Sequence, residues 1–212
     1  MKEYKLYLFD YDYTLVNSEK GIILCFRSVL DAHGHRDISD ERIKKTIGMT
    51  LEDAFAVLTG VWDRQVLAAY KDEYTEKARE CMSDNTVLFP ETIAVLTALK
   101  ERKACVGIVS TKYRYSIMEL MNRYFPSSFW DIVVGVEDVE EPKPSPMGVY
   151  WALRQLGVDK PDVLFVGDSA IDARTAQAAG VDFAGVLHGA TPFEELAAYP
   201  HVSMMADLTA LL

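Results

Sequence analysis

The chain opens on an apolar run, Tyr4 to Phe9, in which Tyr4, Leu6 and Leu8 alternate with Lys5, Tyr7 and Phe9. Its aromatic and aliphatic density predicts a short strand buried on both faces. The run stops at two aspartates one residue apart, Asp10 and Asp12. From Val16 the apolar spacing becomes helical. Ser18 is placed to cap a helix carrying Ile22, Ile23, Phe26, Val29 and Leu30 on one face and ending near Gly34. Ser39 opens a second helix around Ile43 and Ile47, Thr50 with Asp53 resembles a capping box, and Asp63 to Met82 carries Val66, Leu67, Tyr70 and Tyr74 at helical spacing. No strand is predicted between Leu15 and Asn85, so residues 16–86 read as an all-helical block set in after one strand.

From Pro90 the pattern alternates between helix and strand. Pro90 suits a first helical turn, and Ile93, Leu96 and Leu99 form a stripe before the strand Ala104 to Val109, which ends at Ser110-Thr111-Lys112. A helix follows through Ile117, Leu120 and Met121, then a short strand from Asp131 to Val136. The EPKPSP stretch, Glu141 to Pro146, forms a rigid turn in which Ser145 and Pro146 suit the cap and first position of a helix running to Leu156. Val163 to Val166 is the next strand, closed by Gly167-Asp168-Ser169. An alanine-rich helix, Ala170 to Ala179, and a strand from Phe183 to Leu187 come after it. Strands alternating with helices predict a parallel sheet with right-handed crossovers. The fold class is therefore α/β: a Rossmann-like doubly wound core of residues 1–15 plus 87–212, with a small helical cap of residues 16–86.

Composition narrows the function. A net charge of −10 argues against a nucleic-acid or anionic-membrane surface, so an anionic ligand must be captured by local chemistry. Cys25, Cys81 and Cys105 are odd in number and far apart in sequence, which predicts reduced, buried thiols rather than disulfides or a zinc site. The N-terminus has no apolar leader and no run of apolar residues is long enough to span a bilayer, so a soluble, cytoplasmic protein is expected.

Polar residues then gather at the carboxyl ends of three candidate strands: Asp10 with Asp12, Ser110 with Thr111, and Asp168 with Asp172. Ligands bind at that edge of open α/β sheets. Side chains at i and i+2 of an extended backbone point the same way, and two anions a few ångström apart repel by roughly 4 kcal/mol at an effective dielectric near 20. Four carboxylates against Lys143 need a divalent cation, and an all-oxygen set suits Mg²⁺. Mg²⁺, Lys143, the Ser110 hydroxyl and helix N-terminal amides together can hold a phosphate dianion.

The set D-x-D-x-T-L at Asp10 to Leu15, Ser110, Lys143 in K-P, and G-D-S-x-x-D at Gly167 to Asp172 resembles, in order and spacing, the four motifs of the haloacid dehalogenase-like hydrolase superfamily. Within it, the chain is most similar to the phosphoglycolate phosphatase-like and β-phosphoglucomutase-like branch. The GVLHGATPFEEL stretch, Gly185 to Leu196, resembles an ending common in the former group. The resemblance implies Asp10 as a nucleophile forming an aspartyl phosphate and Asp12 as the general acid and base. It implies a Mg²⁺ site made by Asp10, the backbone carbonyl of Asp12 and Asp168, with Asp172 orienting a metal water or Lys143. Ser110, Lys143 and the amides of Tyr11, Asp12 and Thr111 would bind the phosphoryl group, and Thr14 would brace the loop. Many members have glycine after the second aspartate, where this chain has Tyr13.

The expected activity is a Mg²⁺-dependent phosphatase hydrolysing a small soluble, phosphoglycolate-like phosphomonoester, as a monomer or homodimer. A β-phosphoglucomutase-type phosphomutase and an inorganic pyrophosphatase share the same core and stand as alternatives. A non-catalytic phospho-switch of the receiver type is disfavoured by length and motif order, and a dehalogenase by the proton donor Asp12. The four histidines show no ligand spacing and read as structural or exposed. Gly48-Met49-Thr50 falls in a loop able to lean over the site.

Overall fold

The computed structural model describes residues 2–212. The chain runs β1 (Leu6–Phe9), β2 (Val16–Asn17), α1 (Glu19–Ala32), α2 (Asp40–Lys44), α3 (Leu51–Thr59), α4 (Arg64–Cys81), β3 (Val87–Leu88) and α5 (Thr92–Glu101). It continues through β4 (Cys105–Val109), α6 (Arg114–Met121), β5 (Ile132–Val134), α7 (Met147–Leu156), β6 (Val163–Gly167) and α8 (Ala170–Ala179). β7 (Asp182–Val186), α9 (Phe193–Leu196) and β8 (Ser203–Met205) complete it.

β1 lies inside a six-stranded sheet of order β5-β4-β1-β6-β7-β8, with every neighbouring pair parallel. All four residues of β1 are buried, and they divide by parity as a pleated strand requires. Tyr7 and Phe9 join Val106, Ile108 and Val166 in one apolar cluster with Leu96 and Leu99 of α5 and Ile117 of α6. Leu6 and Leu8 join Val163 and Phe165 in a second cluster with Val149 of α7 and Ala173 and Ala176 of α8. Helices thus cover both faces, the arrangement of a doubly wound α/β sheet.

Register positions the site. Phe9 stands opposite Ile108 on one side and Val166 on the other, so the residues that follow these three strands emerge at one edge of the sheet. Asp10 continues the ladder by donating its backbone N–H to Val166 O at 2.9 Å.

Helices α1 to α4 bury a third apolar cluster of their own, centred on Phe26, Leu30, Ile43, Phe55, Tyr70 and Tyr74. Phe26, Phe55 and Tyr74 pack edge-on or tilted, with ring centroids 4.8–6.2 Å apart. The chain leaves the sheet and returns to it through the antiparallel pair β2–β3, with Val16 opposite Leu88 and Asn17 opposite Val87. This ribbon is absent from the sequence reading because two residues carry no measurable period. Among the described residues no helix is long and apolar enough to cross a membrane.

Local chemistry shifts three expected caps. Ser18 precedes α1, but its Oγ is buried without a partner, and Asn17 Oδ1 instead accepts the Glu19 N–H at 3.1 Å. Pro90 stands before α5, whose cap position is Glu91, and Pro146 is itself the residue before α7. By contrast α8 has a reciprocal capping box between Ser169 and Asp172 and ends on left-handed Gly180.

Candidate active site

Four side chains from distant parts of the chain meet beyond the carboxyl ends of β1 and β6. Lys143 Nζ, on the turn before α7, donates to Asp10 Oδ1 and to Asp172 Oδ1, each at 2.6 Å. All three groups are buried. The other Asp172 oxygen accepts the Ser169 N–H at 3.1 Å and the Ser169 hydroxyl at 2.6 Å, so both oxygens of that carboxylate are engaged within the protein. Asp168 differs. Its side chain has no cationic partner among the described residues; Thr14 Oγ1 donates to Asp168 Oδ1 at 3.3 Å.

Asp10, Asp168 and Asp172 each offer an oxygen, and these atoms lie within 4.8 Å of one another. Burial pushes the Asp10 carboxyl up to about 7, with the Lys143 cation pulling it back and the Asp172 charge adding to the rise. Burial also holds Asp168 well above the usual carboxylate range, reinforced by Asp172 and Asp10. For Lys143 burial acts to release the proton, but Asp10 and Asp172 outweigh it and the ammonium is held above its ordinary value.

The neighbouring loops place the remaining candidates. The Asp12 carboxylate lies outside this cluster and meets Lys112 Nζ, at 3.2 Å to both oxygens. Ser110, buried just after β4, accepts the Lys112 N–H at 3.3 Å. The Thr111 hydroxyl donates to Gly48 O at 3.0 Å, which ties the loop before α3 to the end of β4. Gly48 itself faces the Ser169 side chain.

Tyr13 takes the conformation that glycine would adopt more freely, with φ 58°. That backbone costs a β-carbon residue on the order of 1–2 kcal/mol. Burial of the ring and a 2.7 Å hydrogen bond from its hydroxyl to Glu19 offset the strain, and Glu19 in turn pairs with Lys44 of α2. Two residues of the site escaped sequence reasoning. In the sequence Lys112 stands out only as part of the strand-end triplet Ser110-Thr111-Lys112. Gly189 approaches the site so closely that a β-carbon there would stand 1.8 Å from Asp168 Oδ2; its signal was the glycine spacing of the GVLHG stretch.

A doubly wound sheet whose inner strand ends in a buried carboxylate, with a lysine-bridged acidic cluster beside it and a helical unit inserted after that strand, defines an α/β protein whose site lies at the carboxyl ends of parallel strands. Residues 7–186 match the family model of the haloacid dehalogenase-like hydrolases, and the chain belongs to that family. It is 31% identical over 202 residues to a phosphoglycolate phosphatase of Photorhabdus laumondii, covering 93% of this chain and 86% of that protein. It is likewise 31% identical over 211 residues to the pyrophosphatase PpaX of Bacillus pumilus, covering 97% and 94%. A solved haloacid dehalogenase-like hydrolase from Bacteroides fragilis superimposes with a TM-score of 0.97 at 45% identity, covering 99% of this chain and 100% of the other.

Proposed function

We propose that this protein is a Mg²⁺-dependent phosphatase that hydrolyses a small phosphomonoester in the cytoplasm through an aspartyl phosphate on Asp10. The observation that carries the reading is the buried cluster itself: two carboxylates sharing Lys143, with a third, Asp168, beside them and without a cationic partner among the described residues. Its oxygen-only donors fit a hard divalent ion, and Asp10 and Asp168 with the backbone carbonyl of Asp12 would hold it. When bound, the cation supplies charge neutralisation that lets a phosphate dianion approach Asp10.

In this reading Asp10 attacks phosphorus, a P–O bond forms to its carboxylate, and the bond to the leaving oxygen breaks. Asp12 delivers a proton to that oxygen, then removes one from the water that attacks the same phosphorus and frees Asp10. Lys143, the Ser110 hydroxyl and the amides of Tyr11, Asp12 and Thr111 bind the equatorial oxygens, where charge is spread during transfer. Asp172 holds Lys143 in line. Thr14 orients Asp168. The unit formed by α1 to α4 serves as the cap of residues 16–86, with the Thr111–Gly48 contact as its latch against the core of residues 1–15 plus 87–212.

Phosphate release from p-nitrophenyl phosphate tests the reading directly. It is expected with Mg²⁺, lost in EDTA and regained on adding Mg²⁺; turnover undiminished by chelator would contradict the metal site. The carboxyl shifts give a pH signature. Asp10 has its folded value raised above that of the unfolded chain, so between the ordinary carboxyl value and about 7 the folded state holds more protons. Stability without divalent ion therefore falls as pH rises through that window, because ∂ΔG/∂pH follows protons bound in the unfolded minus the folded state. The Tm gain from Mg²⁺ is expected to be larger at pH 8 than at pH 5.5. A gain independent of pH would separate these carboxyls from the ion.

Gly189→Ala provides a local check, since the added carbon must displace Asp168. The variant is expected to need about tenfold or more Mg²⁺ for half-maximal activity, the size of effect seen when groups supporting a metal ligand are disturbed. An unchanged Mg²⁺ requirement would mean that Asp168 stands outside the metal site.

A further inference from the structure

Beside the acidic cluster, a pocket opens between α1, the loop before α3, α4 and the start of α6. Its wall is more apolar than polar, with Phe26, Ile47, Met49 and Met82 beside the hydroxyl-bearing Thr46 and Ser116. Asp12 lines the same pocket, so a leaving group that departs toward Asp12 passes into it. Among the described residues the one basic side chain on the wall is Lys112, and both oxygens of Asp12 already stand 3.2 Å from its ammonium. A second anionic group entering here would meet no free cation and would lie against the Asp12 carboxylate. Burying such a charge without a partner is strongly unfavourable.

We infer that the leaving group of the substrate is an uncharged, largely apolar alcohol held by this pocket, rather than a glycolate or a second phosphate. The inference rests on the phosphatase reading above and specifies its substrate class. Glycolate carries a carboxylate and pyrophosphate a phosphoryl group at the position the pocket would cover. Both conflict with a wall whose only ammonium is already engaged. The names of the relatives therefore do not transfer to this chain at the level of the leaving group.

The test compares kcat/KM, by phosphate release with Mg²⁺, for benzyl phosphate, 2-phosphoglycolate and pyrophosphate on the full chain. Benzyl phosphate and phosphoglycolate both release an unactivated primary alcohol, so the comparison between them reads pocket preference rather than leaving-group reactivity. Benzyl phosphate is expected to exceed each of the other two by about tenfold or more, the discrimination a fitted apolar site can supply. A smaller ratio, or a reversed one, overturns the inference while leaving a working phosphatase; reversal would mean that Lys112 leaves Asp12 to take the anion. Should none of the three release phosphate, and p-nitrophenyl phosphate also resist, the phosphatase reading falls and this inference with it. Met49→Lys sets a free ammonium on the wall and is expected to lower the benzyl-to-glycolate ratio by about tenfold. An unchanged ratio in the folded variant contradicts the pocket assignment, and if the variant does not fold the wild-type ratio already decides.

Discussion

Asp10→Asn is expected to lower kcat by about 10⁴-fold or more, the scale on which losing a nucleophile is felt. The change keeps size and shape. The amide carbonyl can still accept from Lys143, but the group can no longer form an acyl phosphate. Folding should survive the change, because Lys143 keeps its 2.6 Å contact with Asp172. The substitution also removes one of three mutually repelling buried carboxylates, so in the absence of divalent ion Tm is expected to hold or rise. Loss of turnover with Tm maintained is a combination that general structural damage would not produce. Hydrolysis of p-nitrophenyl phosphate near the wild-type rate would remove Asp10 from the chemistry.

Lys143→Met has the second large effect, and it falls on stability as well as rate. The ammonium is the cation that Asp10 and Asp172 share within hydrogen-bond distance, and all three groups are buried. Removing one partner of a buried pair leaves uncompensated charge and costs about 3–5 kcal/mol. Urea denaturation without divalent ion is expected to show a loss of that order. The sign of its pH dependence follows from the carboxyls. With Lys143 gone nothing pulls Asp10 down, so its proton is retained to higher pH and stability is lost as pH rises through that value. The deficit is therefore expected to be larger at pH 8 than at pH 5. Turnover should also fall, since the same ammonium is assigned to the phosphoryl oxygens. A variant as stable as wild type at both pH values would contradict the charge balance described here.

Much of the architecture was legible because the strands of the sheet are buried on both faces and read as unbroken apolar runs, as Leu6–Phe9 and Val163–Gly167 do. Strand ends were legible for the same reason: polar residues interrupt the runs abruptly at Asp10, Ser110 and Asp168. What the sequence did not reveal depends on contacts between distant segments. The ribbon of Val16–Asn17 with Val87–Leu88 has too few residues to show a period. Cys25 and Cys81 are free thiols, yet their Sγ atoms are 3.9 Å apart, because α1 packs against α4 and sequence separation says nothing of that approach. Ser18 looked like a cap and is not one, since Asn17 reaches the open amide first.

The site shows the same division. Asp10, Lys143, Asp168 and Asp172 could be singled out because four polar groups in order along the chain are hard to explain as surface residues. Lys112 could not, as a lysine beside a strand end is ordinary until Asp12 is seen 3.2 Å away. Tyr13 was visible only as a departure from glycine. Its left-handed backbone and its bond to Glu19 show how a bulky residue is accommodated there, through a contact that reaches the helical unit.

The central claim is that the phosphoryl group passes through a covalent bond to Asp10. Rapid acid quenching during turnover of p-nitrophenyl phosphate, followed by peptide mass analysis, measures this directly. The account predicts the mass of one phosphoryl group on the peptide containing Asp10, absent in Asp10→Asn; quenched wild-type enzyme in active turnover with Asp10 unmodified and another residue phosphorylated would contradict it.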